Sequence, residues 1–256
     1  MRENVKKEHY DMIDGYKLDV VCCIDATRPM SIYSRWVTEF ICKYMETTIE
    51  LGIESGYIIN DIDGVARIKF IAFRDMNCCP IPFEMSRFFD FHEFEAIKEY
   101  INNLSYTGGY GYSNLLEAIS LACTSEWRNE TRVRKAVIAF SCNKAREIGL
   151  NKDIFLRYSP IFIPDMQTLS ALWEGTCDYS VLKKLGSNYI NTRGWDWKAL
   201  YLIPQKDCGI YNLFLSWNGF YYYPDPISGE QCFYIGKPDI STIDVYDIAG
   251  FPWNSW

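Results

Sequence analysis

The residue arrangements that usually carry out catalysis are few in this sequence. It has only two histidines, His9 and His92, and neither stands in a metal-binding spacing such as HExxH. Residues 107–113 (TGGYGYS) are similar to a phosphate-cradling loop, but the lysine of such loops is missing. A nucleophile elbow and paired dinucleotide-binding glycines are also absent from the sequence. The sequence therefore predicts a protein that is not an enzyme, and a Cys/His nucleophile pair stays open as an alternative.

The ten cysteines give little sign of reactive chemistry. Several of them, such as Cys22, Cys23 and Cys42, fall within apolar runs, which favours buried free thiols over a disulfide framework. The adjacent pairs Cys22/Cys23 and Cys78/Cys79 lack the CxxC spacing of zinc ribbons and thioredoxin-like sites. The pattern favours structural thiols over a redox or metal-binding role.

Composition limits the classes of partner. The net charge is −7, and no run of five or more basic residues occurs, which argues against a nucleic-acid-binding surface. No segment approaches the ~18 apolar residues of a membrane span, and the first residues lack the apolar stretch of a signal peptide. We therefore expect a cytoplasmic protein that binds neither nucleic acid nor a membrane.

The hydrophobic pattern predicts the elements that must position any site. Residues 18–24 (LDVVCCI) form a nearly continuous apolar run ended by Asp25, which is typical of a central parallel strand buried on both faces. Alternating strands and helices then predict a mostly parallel sheet covered on both faces, with a functional rim at the carboxyl ends of the strands. The further predicted strands are residues 66–73, 83–91 (an edge strand), 136–141, 199–203 and part of 217–234, and the predicted helices are residues 33–49, 94–104, 113–122, 166–175 and 207–217.

Several segments together carry a family resemblance. Residues 18–31 (LDVVCCIDATRPMS) resemble the first strand and metal loop of bacterial von Willebrand factor A (VWA) domains, whose loop has the sequence D-A-T-G-S-M. Further matches follow in order: the strand ending Phe73-Arg74-Asp75, the pair Gly108-Gly109 before a helix, residues 135–145 (KAVIAFSCNKA) and residues 172–175 (LWEG).

The resemblance spans about residues 17–205. It implies an α/β, three-layer, Rossmann-like VWA fold with a mostly parallel central sheet, one antiparallel edge strand and helices on both faces. A single domain would then cover residues 1–256, with residues 206–256 adding a final helix, a strand and an aromatic C-terminal extension.

The resemblance also implies a degenerate metal-ion-dependent adhesion site. In VWA domains a divalent ion, usually magnesium, is held above the sheet by oxygen ligands, and Asp25 and Thr27 match the first two. Pro29 stands where a second hydroxyl belongs, and Tyr110 where a threonine or aspartate belongs. Residues 141–143 offer no carboxylate at the later strand end. The resemblance therefore implies weak or absent Mg²⁺ binding and no other cofactor.

The loops around this degenerate site are rich in aromatic and apolar residues. Tyrosine and methionine are enriched at protein interfaces, which makes these side chains candidates for partner binding. The alternative is that they fill the vacated ion site or pack on one another, and that Asp75 pairs with Arg74 or a backbone group. The candidate partner-binding residues are Pro29, Met30, Asp75, Tyr106, Tyr110 and Tyr112.

The family implies a non-enzymatic adaptor that recognises a protein through the loops at the carboxyl ends of the strands. The similar bacterial proteins belong to stress, signalling and defence systems, beside kinases or phosphatases. Two other functions stay open: a divalent-metal-dependent or thiol-dependent enzyme using Asp25, Asp75 and a cysteine, and a structural subunit of a larger complex.

Overall fold

The computed structural model describes residues 17–56, 58, 63–109, 111–130, 133–186, 189–190, 198–204, 214, 217, 220–222 and 245–250. The strands are β1 (Lys17–Asp25), β2 (Ala66–Phe73), β3 (Phe83–Asp90), β4 (Tyr112–Ser113), β5 (Val133–Ser141), β6 (Lys144–Ala145), β7 (Lys198–Pro204) and β8 (Phe220–Tyr222). A 3-10 helix (Arg28–Tyr33) precedes the α-helices, which are α1 (Ser34–Glu54), α2 (Phe94–Asn102), α3 (Leu115–Cys123), α4 (Lys152–Phe155), α5 (Met166–Glu174), α6 (Tyr179–Leu185) and α7 (Val245–Gly250).

Six strands form the main sheet, in the order β3-β2-β1-β5-β7-β8. Its neighbouring strands pair in parallel except β2 and β3, which are antiparallel. Counted among these six alone, the order is 3-2-1-4-5-6, which is that of doubly wound α/β folds. The predicted α/β fold with a mostly parallel sheet and one antiparallel edge strand is confirmed.

Helices cover both faces of the sheet. Side chains alternate along β1, so Val20 and Cys22 enter the core beneath α1, α2 and α7, whereas Val21 and Cys23 enter the core beneath α3 and α5. Cys22 and Cys23 are both fully buried, as their apolar surroundings in the sequence predict. In the described part of the chain, no helix combines the length and the apolar character needed to cross a membrane.

The ends of the elements differ from the prediction in physically simple ways. Helix α1 extends to Glu54, whereas the sequence predicted its end at residue 49, which is the last position of the clear apolar pattern. Helix α5 ends at Gly175 as predicted, with a φ of +73° that glycine adopts without a steric penalty. Helix α7 is new relative to the sequence prediction, and it packs on α1. The predicted helix at 207–217 and most of 217–234 lie outside the described residues.

A buried ionic cluster lies at the amino ends of the strands, opposite the rim. The carboxylate of Asp19 is fully buried and accepts hydrogen bonds from the guanidinium of Arg67, at 2.8 Å to each oxygen. It also accepts bonds from the backbone N–H of Arg128 at 2.7 Å and from its Nε at 2.6 Å. Burial alone raises the pKa of Asp19, but the two arginines outweigh it and hold the pKa below its usual value.

Candidate functional site

The candidate site lies where β1 and β5 end side by side. These are the strands between which the order of the sheet reverses, and open α/β sheets bind ligands at this switch point. Four loops meet there, and we call them the rim: residues 26–33 after β1, 74–82 after β2, 103–111 before β4, and 142–151 around β6. Asp25, the last residue of β1, lies beneath them and is fully buried.

The carboxylate of Asp25 is surrounded by the protein's own donors. Its Oδ1 accepts the backbone N–H of Thr27 at 3.0 Å. Its Oδ2 accepts the backbone N–H of Cys142 at 3.2 Å, the Ser141 hydroxyl at 3.4 Å and the Asn143 amide at 3.4 Å, and the Cys142 thiol lies at 3.7 Å. Most of these donors are uncharged groups at the end of β5, and together they hold the carboxylate in place.

Asn143 joins three of the rim loops. Its Nδ2 donates to the hydroxyl of Thr27 at 2.6 Å as well as to Asp25, and its Oδ1 accepts the backbone N–H of Gly111 at 3.2 Å. An amide nitrogen therefore stands between the two oxygens that match the first metal ligands. The sequence analysis noted Asn143 only as the lack of a carboxylate; its position at the end of β5 was the signal that could have identified this role.

The donor set around Asp25 does not fit a magnesium ion. Magnesium favours an octahedron of oxygen ligands, usually including one or two carboxylates. Here Asp25 faces an amide, a hydroxyl, a thiol and backbone N–H groups, and within the described residues it belongs to no cluster of three His, Cys or carboxylate ligands. Burial raises the pKa of Asp25, and the hydrogen bonds from Thr27, Cys142 and Asn143 oppose that rise.

The glycine turn packs directly on the loop after β1. Thr107 donates its backbone N–H to the carbonyl of Ala26, and Arg28 donates its own to the carbonyl of Gly108, each at 3.0 Å. Gly109 has a φ of +67°, and a Cβ there would lie 2.2 Å from the methyl group of Thr27. Only glycine fits this approach, because any side chain would collide with the residue that Asn143 also bonds.

The sequence alternative paired Asp75 with Arg74 or a backbone group; the structure confirms a backbone partner, the N–H of Asn77 at 3.0 Å, but the arginine that holds Asp75 is Arg146. Arg146 donates from Nε at 2.6 Å and from Nη2 at 2.7 Å to the two oxygens of Asp75, and its guanidinium lies 4.9 Å from the centre of the Tyr112 ring. Burial raises the pKa of Asp75, but the bonds from Arg146 and from the Asn77 N–H lower it below its usual value. Asp75 is buried and engaged, so it supports the rim and exposes little surface.

Arg74 instead connects the loop after β2, the glycine turn and the start of β3. Its side chain is buried and donates to the carbonyl of Ser105 at 2.6 and 3.0 Å, to the carbonyl of Ile81 at 3.3 Å and to Glu84 at 3.2 Å. The loop after β2 and the glycine turn are thereby fixed to the start of β3.

The other predicted partner-binding residues differ in how exposed they are. Pro29 is partly exposed at the start of the 3-10 helix, and Tyr112 is 44% exposed. Met30 is fully buried in the core beneath α1, so its assignment as a contact residue is wrong for this conformation. Tyr106 is half-buried, and burial together with the nearby Asp25 carboxylate raises its pKa to about 12. Tyr110 lies outside the described residues.

The sequence analysis missed three exposed aliphatic side chains on the rim. Ile32 in the 3-10 helix is 76% exposed, Ile81 before β3 is 61% exposed, and Leu150 before α4 is 53% exposed. Together with Tyr112 they put an apolar side chain on or beside each of the four rim loops. Isolated exposed apolar residues are ordinary, and these are notable only because each lies on or beside a rim loop.

A second cluster of polar groups lies at the opposite end of the sheet. Nδ1 of His92 is 3.0 Å from Asp63 and 2.9 Å from Asp90, and all three residues are at least partly exposed. Asp90 pairs with Arg67 at the start of β2, so the cluster is remote from the rim.

The sequence matches no protein-family model and no curated protein. Among solved structures, the chain is similar to the pilus adhesin SpaC of Lactobacillus rhamnosus GG in its open conformation, with 9% identity, a TM-score of 0.45, and coverage of 82% of this chain and 28% of that one. It is also similar to proximal thread matrix protein 1 of the mussel byssus, with 11% identity, a TM-score of 0.42, and coverage of 81% and 41%. The chain thus spans less than half the length of either structure.

Proposed function

We propose that this protein is a non-enzymatic, VWA-type interaction module whose rim binds a protein partner without an ion bridge. The partner class follows the resemblance to bacterial stress, signalling and defence proteins, in which kinases and phosphatases are the natural candidates. The observation that carries the proposal is the Asp25–Asn143 network, in which the chain's own donors stand where the adhesion site of a VWA domain holds its metal.

The network supports recognition through a preformed surface. Asp25 and Thr27 lie at the end of β1 and in the loop after it, Gly111 lies in the glycine turn, and Asn143 bonds all three. A surface that is already ordered loses less conformational entropy when a partner binds. An ion bridge would also require the partner to supply a carboxylate, whereas this rim offers an aromatic ring and aliphatic side chains.

The exposed apolar side chains support a protein as the partner. Ile32, Ile81, Tyr112 and Leu150 are exposed, and Arg146 lies over the Tyr112 ring. Apolar side chains and an aromatic ring beside an arginine are typical of protein interfaces. Among the described residues, the groups that contact Asp25 are mostly neutral donors already bonded to it, which favours a binding role over acid–base or nucleophilic catalysis.

The test compares two isoleucines at opposite ends of α1. Ile32 precedes this helix on the rim, and Ile53 is 54% exposed in its last turn. The helix has 21 residues, and at 1.5 Å per residue it separates the two ends by about 30 Å. In a pull-down from the source cells with quantitative mass spectrometry, Ile32→Glu should reduce recovery of the specific partner at least about tenfold, as expected for the loss of about 1.4 kcal/mol at an interface anchor.

Ile53→Glu is the matched control, because it adds the same charge to an exposed isoleucine away from the rim. Equal recovery with both variants and the wild type would remove the rim from consideration as the interface. Calorimetry with MgCl₂ separates the enzyme alternative: micromolar binding that Asp25→Ala abolishes would contradict an ion-independent module. Light scattering on the native extract and on the purified protein tests the alternative of a structural subunit.

A further inference from the structure

Two adjacent thiols lie within the rim, on the loop after β2. The Sγ atoms of Cys78 and Cys79 are 3.9 Å apart; Cys78 is exposed, and Cys79 is buried. The loop is fixed by the backbone, since the N–H groups of both cysteines donate to the carbonyl of Asp75 at 3.2 and 2.9 Å. An accessible thiol therefore has a second thiol beside it in a defined position.

Polar groups of the rim hold this pair in place. The backbone N–H of Gly109 donates to Sγ of Cys78 at 3.3 Å. Two guanidinium groups are close enough to interact with the pair electrostatically, Arg146 with Cys78 and Arg74 with Cys79. The exposed Cys78 is therefore the thiol that an oxidant can reach, and the buried Cys79 lies directly behind it.

We propose that Cys78 and Cys79 form a reversible oxidation site, in which a hydroperoxide oxidises Cys78 and Cys79 resolves the product. The sulfur of Cys78 attacks one peroxide oxygen; the S–O bond forms, the O–O bond breaks, and the leaving oxygen takes the proton that the Cys78 thiol gives up, becoming an alcohol or water. The sulfur of Cys79 then attacks the sulfenic acid of Cys78; the S–S bond forms, the S–O bond breaks, and hydroxide leaves with the Cys79 proton as water. Two electrons pass from the thiol pair to the peroxide.

The geometry makes the product easy to reduce. Adjacent Cα atoms are about 3.8 Å apart, which is shorter than the roughly 4.4–6.8 Å that disulfides usually span. The bond between neighbours is therefore strained, and strained disulfides are the readily reduced ones. Gly108 packs against both sulfurs, since a Cβ there would lie 2.4 Å from one and 3.0 Å from the other. The disulfide would therefore form in direct contact with the glycine turn.

Peptide mass spectrometry tests the proposal directly. Trypsin cuts after Arg74 and Arg87, so residues 75–87 form one peptide that contains only these two cysteines. After brief treatment with hydrogen peroxide and blocking with N-ethylmaleimide, this peptide should lose two hydrogen atoms and carry no maleimide, and dithiothreitol should restore two maleimide sites. Cys42 and Cys177 are the internal controls, because both are half-buried thiols whose pKa burial raises, and each lies alone in its tryptic peptide.

Two variants assign the roles of the thiols. Cys79→Ser should stop at the sulfenic acid of Cys78, which dimedone traps, whereas Cys78→Ser should leave the buried Cys79 unoxidised under the same conditions. Oxidation of Cys42 and Cys177 as fast as that of Cys78, or equal dimedone labelling of both variants, would overturn the proposal.

Discussion

Replacing Asn143 by aspartate should convert the internally bonded site into one that needs a cation. In Asn143→Asp, the new carboxylate keeps its acceptor position towards Gly111 but loses the donor that now bonds Thr27 at 2.6 Å and faces Asp25 at 3.4 Å. A second negative charge also enters beside the buried Asp25. The rim would then have two carboxylates and a hydroxyl, which is a ligand set that magnesium favours.

The expected loss of stability follows from these contacts. A buried acceptor that loses its donor costs about 1–3 kcal/mol. Each pKa unit of repulsion between the two carboxylates adds about 1.4 kcal/mol. The variant should therefore be about 2–4 kcal/mol less stable, which lowers the melting temperature of a domain of this size by about 5–15 °C. Magnesium at a hundred times its Kd returns about 2.7 kcal/mol.

Differential scanning fluorimetry at neutral pH, with and without MgCl₂, measures both effects. Asn143→Ala is the control, since it loses the same donor but gains no charge, and its melting temperature should not respond to magnesium. Wild-type stability in Asn143→Asp, or a magnesium effect of the same size in wild type and Asn143→Ala, would refute the view that the amide replaces the ion.

Two further predictions concern stability. Asp19→Asn should destabilise the protein by about 3–5 kcal/mol in urea denaturation at pH 7, because Arg67 and Arg128 then lose the buried carboxylate that pairs with them. The pKa of Asp19 is lower in the folded than in the unfolded protein, so its contribution to stability is present above pH 3.8 and is lost as the pH falls towards the folded-state pKa. The stability of Asp19→Asn should therefore fall less steeply on acidification than that of the wild type. An equally steep fall would mean that Asp19 does not couple stability to pH. Gly109→Ala should cost about 2–4 kcal/mol by combining left-handed strain with the collision at Thr27. Gly111→Ala, where a Cβ meets nothing within 4 Å, should cost only about 1–2 kcal/mol, and equal losses would mean that the close approach is unimportant.

The sheet could be predicted from the sequence because its strands carry strong patterns. Residues 18–24 and 66–73 are mostly apolar and are followed directly by charged residues, which indicates both the strand type and the edge at which the loops meet. Helix α7 could not be predicted in this way, because six residues are too few for a reliable helical period, and its burial depends on a distant partner, α1.

The candidate site was predictable in position but not in its bonding. The order of the strand ends places Asp25 beside residues 141–143, and the resemblance identifies which ligands are missing. Side-chain directions, which sequence spacing does not determine, decide the hydrogen bonds of the site. They bring Asn143 to Asp25 and Thr27, and they pair Asp75 with Arg146 and not with the adjacent Arg74. Met30 shows the same limit, because a residue in a rim loop can still turn into the core.

Helix α7 has a consequence for how the molecule can be divided. Val245, Ile248 and Ala249 are buried in the same core as Tyr33 and Trp36, although about two hundred positions separate them in the chain. Contacts between such distant segments close large loops, which slows folding and leaves the second segment exposed until a late stage. Any fragment that stops near residue 205 therefore has an uncovered apolar stripe along α1, and it will aggregate more readily than a chain that extends through residue 250.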